Sequence, residues 1–298
     1  MPEFDGGISM LREIYYFSGT GNSLAVARDL ANKMKAKLIP ISWAMNNEDT
    51  VIIDADVTGI VFPVYHSGLP VIMRNFIEKT QFLGDPYVFA VCTYGGLGPG
   101  AAVRYLRTLI RPHGGLLSAG WAVKMPYNYL TTDGTLLELT REEKLKMFDD
   151  WELKRDAIIK AVNAKQKGPF ETTLWTRTGP KREPAPKKGN VLDYVPGSVL
   201  LAGETRRDIW QTLPTLDGNF YRDDDCICCG ICVEICPVGN IDMEIGGPVW
   251  LHECEQCFAC LQWCPNGSLQ FGDNTAGGKR YHHPDVVISD MIGQRKPL

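Results

Sequence analysis

Eight cysteines in the last quarter of the chain are spaced for chemistry. Cys226, Cys229, Cys232 and Cys236 follow C-x2-C-x2-C-x3-C and precede Pro237, and Cys254, Cys257, Cys260 and Cys264 repeat that spacing before Pro265. Crowded thiols either pair as disulfides or bind metal, and the compartment decides which. The N-terminal stretch MPEFDGG is acidic where a secretory signal would be basic, and no apolar run long enough to span a bilayer occurs. These features lead us to expect a cytoplasmic chain with no membrane insertion, whose clustered thiols carry metal. Thiolate sulfur suits zinc and iron–sulfur alike, but structural zinc modules separate two C-x2-C pairs by a longer span. Three cysteines at intervals of three wrap one face of a cubane, while a fourth, turned by the proline, points away from it. The spacing therefore favours two [4Fe–4S] clusters over two zinc sites.

A second chemical signal lies near the other end. An apolar run at Ile14–Phe17 is followed by Ser18-Gly19-Thr20-Gly21-Asn22-Ser23, which opens a helical stretch from Ser23 to Lys35. Backbone N–H groups at a helix N-terminus and the helix dipole favour an anion there, and Ser18, Thr20 and Ser23 add hydroxyl donors. The turn has no lysine, so it lacks the G-x4-G-K-[S/T] of a triphosphate loop, and Leu24 stands where the dinucleotide fingerprint requires its last glycine. A single terminal monophosphate is the better fit.

Positioning such a loop takes a sheet. Further strands are expected at Ala36–Ile41, Gly59–Val64, Tyr87–Thr93 and Leu117–Met125, with helices near Val71–Lys79 and Gly100–Ile110. Five strands with helical crossovers imply an α/β fold with an open, doubly wound parallel sheet. A last helix starts at Thr140, where Glu143 three residues on completes a capping box, and Gly168 and Pro169 stop it. Four prolines between Pro169 and Pro186 read as a linker. The expected organisation is a sheet domain over 9–168, a connecting segment over 169–220, a cysteine domain over 221–271 and a tail over 272–298. At about 100–200 residues per domain, 298 residues with 44% hydrophobic content can form such cores.

The formal net charge of −4 gives no basic field for nucleic acid. Residues 221–271 hold eight Asp/Glu against Arg222 alone. That acidity either steers a basic partner or simply keeps the region in solution.

Over Tyr221 to Phe271 the chain resembles bacterial-type two-[4Fe–4S] ferredoxins. The resemblance implies that Cys226, Cys229, Cys232 and Cys264 hold one cluster and Cys254, Cys257, Cys260 and Cys236 the other. One departure is Cys228, where such ferredoxins commonly carry glycine. It reads as an extra thiol packed beside a cluster. The Ser18–Ser23 turn and the five-strand pattern resemble flavodoxins, whose corresponding loop binds the FMN phosphate. In such a sheet the loops after the third and fourth strands flank the flavin ring, which here means Pro63, Val64, Tyr65, His66 and Ser67, then Thr93, Tyr94, Gly95 and Gly96, with Tyr65 or Tyr94 able to stack on it. Tyr127 and Asn128, after the fifth strand, reach the same rim. His66 reads equally as a hydrogen-bonded surface histidine and as a proton donor, and Cys92 as a small buried hydrophobe.

Together these motifs resemble a family of flavodoxin–ferredoxin fusions from anaerobic bacteria and archaea. The resemblance implies one FMN and two [4Fe–4S] clusters in an electron-transfer protein whose partner is another ferredoxin, a flavodoxin or an oxidoreductase. A homodimer is compatible with it. An FMN-dependent reductase of a small acceptor and a redox sensor are the alternative functions, and the tail cluster Lys279–His283 is expected to pack back on the acidic domain.

Overall fold

The computed structural model describes residues 10–66, 68–96, 98–126, 139–173, 213–272 and 275–295. Its centre is a five-stranded parallel sheet. The strands are β1 (Arg12–Tyr16), β2 (Lys37–Pro40), β4 (Val57–Pro63), β6 (Tyr87–Tyr94) and β7 (Leu117–Lys124), ordered β2-β1-β4-β6-β7. Counted among themselves, these strands stand in the order 2-1-3-4-5, which flavodoxin-like sheets share. β4 is buried along its whole length, as are the first seven residues of β6. Strands covered on both faces carry continuous apolar runs, which is why they stand out in the sequence.

Two short strands, β3 (Val51–Ile53) and β5 (Thr80–Phe82), pair parallel as a separate ribbon, and the short helix α2 (Ile41–Asn47) precedes β3. None of the three was expected, because three to seven residues are too few to show a period. The longer helices are α1 (Asn22–Met34), α3 (Val71–Glu78), α4 (Ala102–Leu109) and α5 (Arg141–Asn163). α5 begins at the expected capping box: the Glu143 N–H donates to Thr140 Oγ1 at 3.2 Å and the Thr140 N–H to Glu143 Oε2 at 2.7 Å. It ends at Asn163, short of the expected Gly168. The chain then returns along β7, with Gly168 N donating to Ser118 O at 2.7 Å and Gly120 N to Pro169 O at 2.8 Å. The first prolyl residue of the expected linker thus lies along the sheet edge.

Strand register decides where the loops emerge. Tyr16 lies opposite Pro40 and Val61, and Val61 opposite Val91. The carboxyl ends of β1, β4 and β6 are therefore level, and the loops that leave them emerge at one edge of the sheet.

The cysteine-bearing region is built from two antiparallel pairs and two short helices. β8 (Phe220–Arg222) pairs with β11 (Leu269–Phe271), and β9 (Ile241–Glu244) with β10 (Gly247–Trp250). The helices are α6 (Ile231–Ile235) and α7 (Ala259–Gln262). Phe220 anchors its core, stacked on Trp250 at 5.3 Å and edge-on to Phe271 at 4.7 Å. Such pairs add to the burial of the rings themselves. A second anchor is Asp217, fully buried, which accepts from Asn240 Nδ2 at 2.8 Å and from the His252 backbone at 2.9 Å. A last helix, α8 (Ile288–Ile292), closes the described chain. Cys257, Ala259, Trp263, Val286 and Met291 belong to the same apolar core as the sheet. Among the described residues no helix is long and apolar enough to cross a membrane.

Candidate functional site

The loop Ser18–Ser23 leaves β1 and turns into α1 through Gly21, whose φ of +95° is open to glycine at little cost. Gly21 N donates to Ser18 Oγ at 3.1 Å, and Ser23 Oγ shares a 2.8 Å hydrogen bond with Thr93 Oγ1 at the end of β6. Asn22 Nδ2 donates to Pro126 O at 3.1 Å, which ties the loop to the exit of β7. Ser18, Thr20 and Ser23 are each 1% exposed.

A polar-walled cleft opens on this loop. Ser18, Gly19, Thr20, Asn22 and Ser23 form one wall, Pro63, Val64 and Tyr65 a second, and Thr93, Tyr94 and Gly95 a third, closed by Met125 and Pro126. Residues from three separated loops are thus brought together as the level strand ends require. Gly21, His66 and Gly96 stand outside the lining. Ser67, Tyr127 and Asn128 lie outside the described residues.

Tyr65 lines the cleft. Its ring meets Phe17 edge-on at 6.1 Å, and its hydroxyl reaches the loop, 2.6 Å from where a Cβ on Gly19 would stand. That hydroxyl is buried and has no hydrogen-bond partner among the described residues. A buried, unpaired hydroxyl is costly unless a ligand satisfies it. Among the described residues the cleft offers such a ligand hydroxyl and amide donors and no charged side chain, which fits a monophosphate ester with a polyol chain. His66 is half-buried beside it, and desolvation lowers its pKa to about 4, so its ring is neutral near pH 7.

The cysteines enclose two further cavities. One is bounded by Cys226, Cys229 and Cys232 of the first motif together with Cys264 of the second. The other is bounded by Cys254, Cys257 and Cys260 together with Cys236. Each motif lends its last cysteine to the other cavity, because α6 and α7 pack side by side and carry Cys236 and Cys264 across. Among the described residues no three His, Cys, Asp or Glu side chains converge on a point that would hold one metal ion. The thiols stand around a volume instead. Burial pushes Cys232 up to about 11 and Cys254, Cys257 and Cys260 further above the ordinary thiol range. Ligation to metal would have to draw off these protons.

The two cavities differ in position. Cys229, Ile227 and Cys228 at the first are exposed, with the exposed acids Asp224 and Asp225 alongside. Cys257 and Cys260 at the second are buried, and the Cys257 carbonyl would stand 2.6 Å from a Cβ on Gly19. Two further contacts seal that junction. Trp263 Nε1 donates to Gly19 O at 3.3 Å. The buried Glu255 receives the Val71 and Ile72 N–H groups at the start of α3, although burial outweighs them and raises its pKa to about 8.

Cys228 lines the first cavity from its exposed rim, with a φ of +52°. That conformation disfavours an L side chain, which explains why glycine is common at this place. Replacing Cys228 by glycine is therefore expected to leave bound iron unchanged and to alter stability by less than about 1 kcal/mol, checked by iron content and chemical denaturation. Cys92, by contrast, is fully buried as the strand pattern implies, and its thiol is pushed up to about 12 by burial.

Several residues that build the site gave no signal in the sequence. Asp217, Glu255, Trp263 and Gln294 act through partners far along the chain, as in the Trp263–Gly19 contact across 244 positions. No local motif encodes such a pair.

No protein-family model matches the chain, and no curated protein matches it. Solved structures do. The flavodoxin, WrbA-like protein from Agrobacterium tumefaciens is 17% identical, with 53% of this chain and 100% of that one covered at a TM-score of 0.34. The azoreductase from Bacillus anthracis str. Sterne is 12% identical, with 51% and 100% covered at 0.34. A flavodoxin from Streptococcus pneumonia TIGR4 is 17% identical, with 50% and 99% covered at 0.31. These similarities concern about half of this chain. The strand order β2-β1-β4-β6-β7, not the similarities, carries the assignment of the fold.

Proposed function

We propose that this chain is an electron-transfer protein that binds FMN in the cleft at the sheet edge and a [4Fe–4S] cluster in each cysteine cavity. The observation that carries this reading is the interleaved lining of the two cavities, one of which abuts the phosphate-type loop at Gly19. Thiols set around a shared volume suit a cube of iron and sulfur, whereas a single zinc ion would need the sulfurs drawn in to about 2.3 Å from one point. When bound, FMN exchanges electrons singly or in pairs and each cluster exchanges one.

The chain's own residues supply the rest. Loop amides and the hydroxyls of Thr20 and Ser23 would hold the phosphate, and the Tyr65 hydroxyl would gain the partner it lacks. Neutral His66 is poorly suited to deliver a proton near pH 7. The exposed edge around Cys226–Cys229, with Asp224 and Asp225, suits a partner redox protein with a basic face. The second cavity is more buried, and its Cys257 abuts the loop at Gly19.

The test is composition followed by reduction. Protein purified without oxygen is expected to contain roughly eight irons, matching sulfide and about one FMN per chain. Stepwise dithionite addition, followed by absorption, is expected to bleach cluster and flavin bands. Zinc in place of iron would overturn the cluster half of the reading, and iron without flavin would overturn the other half.

A further inference from the structure

The segment 280–295, C-terminal to the cysteine region, lies on the loop that leaves β1. Gln294 lays its amide against Ser18: Ser18 N donates to its Oε1 at 3.0 Å, and its Nε2 donates to Ser18 O at 3.0 Å and to Met291 O at 3.4 Å. Both residues are 1% exposed. His283 N donates to Thr20 O at 2.9 Å, and Tyr281 Oη donates to Asn22 Oδ1 at 2.7 Å. His283 and Val286 cover Gly21 closely enough that a Cβ there would come within 3.0–3.1 Å of them. Three alternate residues of the loop, Ser18, Thr20 and Asn22, thus take a partner from one segment more than 250 residues away.

The other side of the segment grips the cysteine region. Arg280 donates to Leu269 O at 2.7 Å, Tyr281 N donates to Gln262 Oε1 at 2.7 Å, and the His282 ring stacks on Trp263 at 4.2 Å. An Arg28–Asp290 ion pair at 2.9 Å fixes α8 to α1. A segment that merely returned to cover its own domain would have no reason to place a buried amide on both backbone atoms of Ser18.

We propose that residues 280–295 are a strap that holds the Ser18–Ser23 loop in its ligand-binding shape, with Gln294 as the positioning residue. No residue of the strap is among those lining the cleft, so it holds the loop from outside that lining. Ser18 N–H is committed to Gln294 and Gly21 N–H to Ser18 Oγ, which fixes the backbone of residues that line the cleft. The consequence for FMN affinity rests on the proposed electron-transfer function; the consequence for the loop's own order does not.

Full-length Q294A tests this against wild type in three measurements: amide hydrogen exchange over residues 18–26, FMN titration of flavin-stripped protein by fluorescence quenching, and iron content. Q294A is expected to exchange at least about tenfold faster at the loop and to bind FMN about tenfold more weakly, with iron unchanged. In Q294E the carboxylate still accepts from Ser18 N–H but cannot donate to Ser18 O, so its loop exchange is expected to fall between the two. Exchange and FMN affinity equal to wild type in Q294A would overturn the strap, as would an equal loss of iron, which marks general destabilisation. If wild type binds no FMN, the flavin assignment fails and loop exchange alone decides. Should Q294A not fold, Y281F removes a single oxygen, and unchanged exchange at Asn22 in that variant would overturn the proposal.

Discussion

Replacing Cys236 by serine is expected to empty the cavity of the other motif, lowering bound iron from roughly eight to roughly four per chain. The expectation rests on the lining of the two cavities. Cys236 belongs by sequence with Cys226, Cys229 and Cys232, but it borders the space of Cys254, Cys257 and Cys260. The surviving iron is therefore predicted to sit at the exposed cavity. Cys264→Ser is the mirror experiment and spares the buried one. Mössbauer or EPR spectra of the two variants, recorded beside iron analysis, are expected to add up to the wild-type spectrum. If each serine instead removed the iron of its own motif, the interleaved arrangement would be wrong.

Gly19→Ala is expected to carry the second large effect. The new Cβ would stand 2.6 Å from the Cys257 carbonyl oxygen, 2.6 Å from Tyr65 Oη and 3.1 Å from Cys257 Cβ. A tyrosine hydroxyl can swing aside, but the Cys257 carbonyl belongs to the chain that carries the buried tetrad. The loop and the cysteine region must therefore separate. Overpacking of this kind costs about 1–3 kcal/mol, or a fall in Tm of about 2–12 °C for a chain of this size. Gly218→Ala is the control, since no atom lies within 4 Å of its Cβ position, and its Tm is expected to stay within about 2 °C of wild type. A Gly19→Ala protein as stable as the control would show that the junction is looser than its distances imply.

The contrast between these positions shows what the sequence could and could not reveal. The strands of the sheet were legible because burial on both faces demands unbroken apolar runs, as at Val57–Pro63 and Tyr87–Tyr94. The loop at Ser18 was legible because a strand, a glycine turn and a helix succeed one another without interruption. Its companions on the strand ends could be guessed once the parallel order was assumed. The role of Tyr65 was not, because its direction depends on Phe17 and on Cys257, which meets the loop only after folding. The same holds for the pairing of Trp263 with Gly19 and of Asp217 with Asn240. Cys228 illustrates a third case: its identity was visible as an oddity, but only its backbone angle explains the oddity. Short elements such as β3 and β5 escaped because their pairing partners, not their own composition, make them strands.

The bonds between Gln294 and Ser18 also impose an order in time. During synthesis the loop after β1 leaves the ribosome among the first residues of the sheet, while its partner emerges some 276 positions later. Chains made at about 5–20 residues per second would wait on the order of tens of seconds between the two events. Over that interval the sheet can form from contacts between near neighbours, yet one side of the loop stays uncovered. Contacts of such long range are made late in folding. The loop proposed to hold the ligand is therefore expected to take its final shape last, after the cysteine region has taken its place beside it.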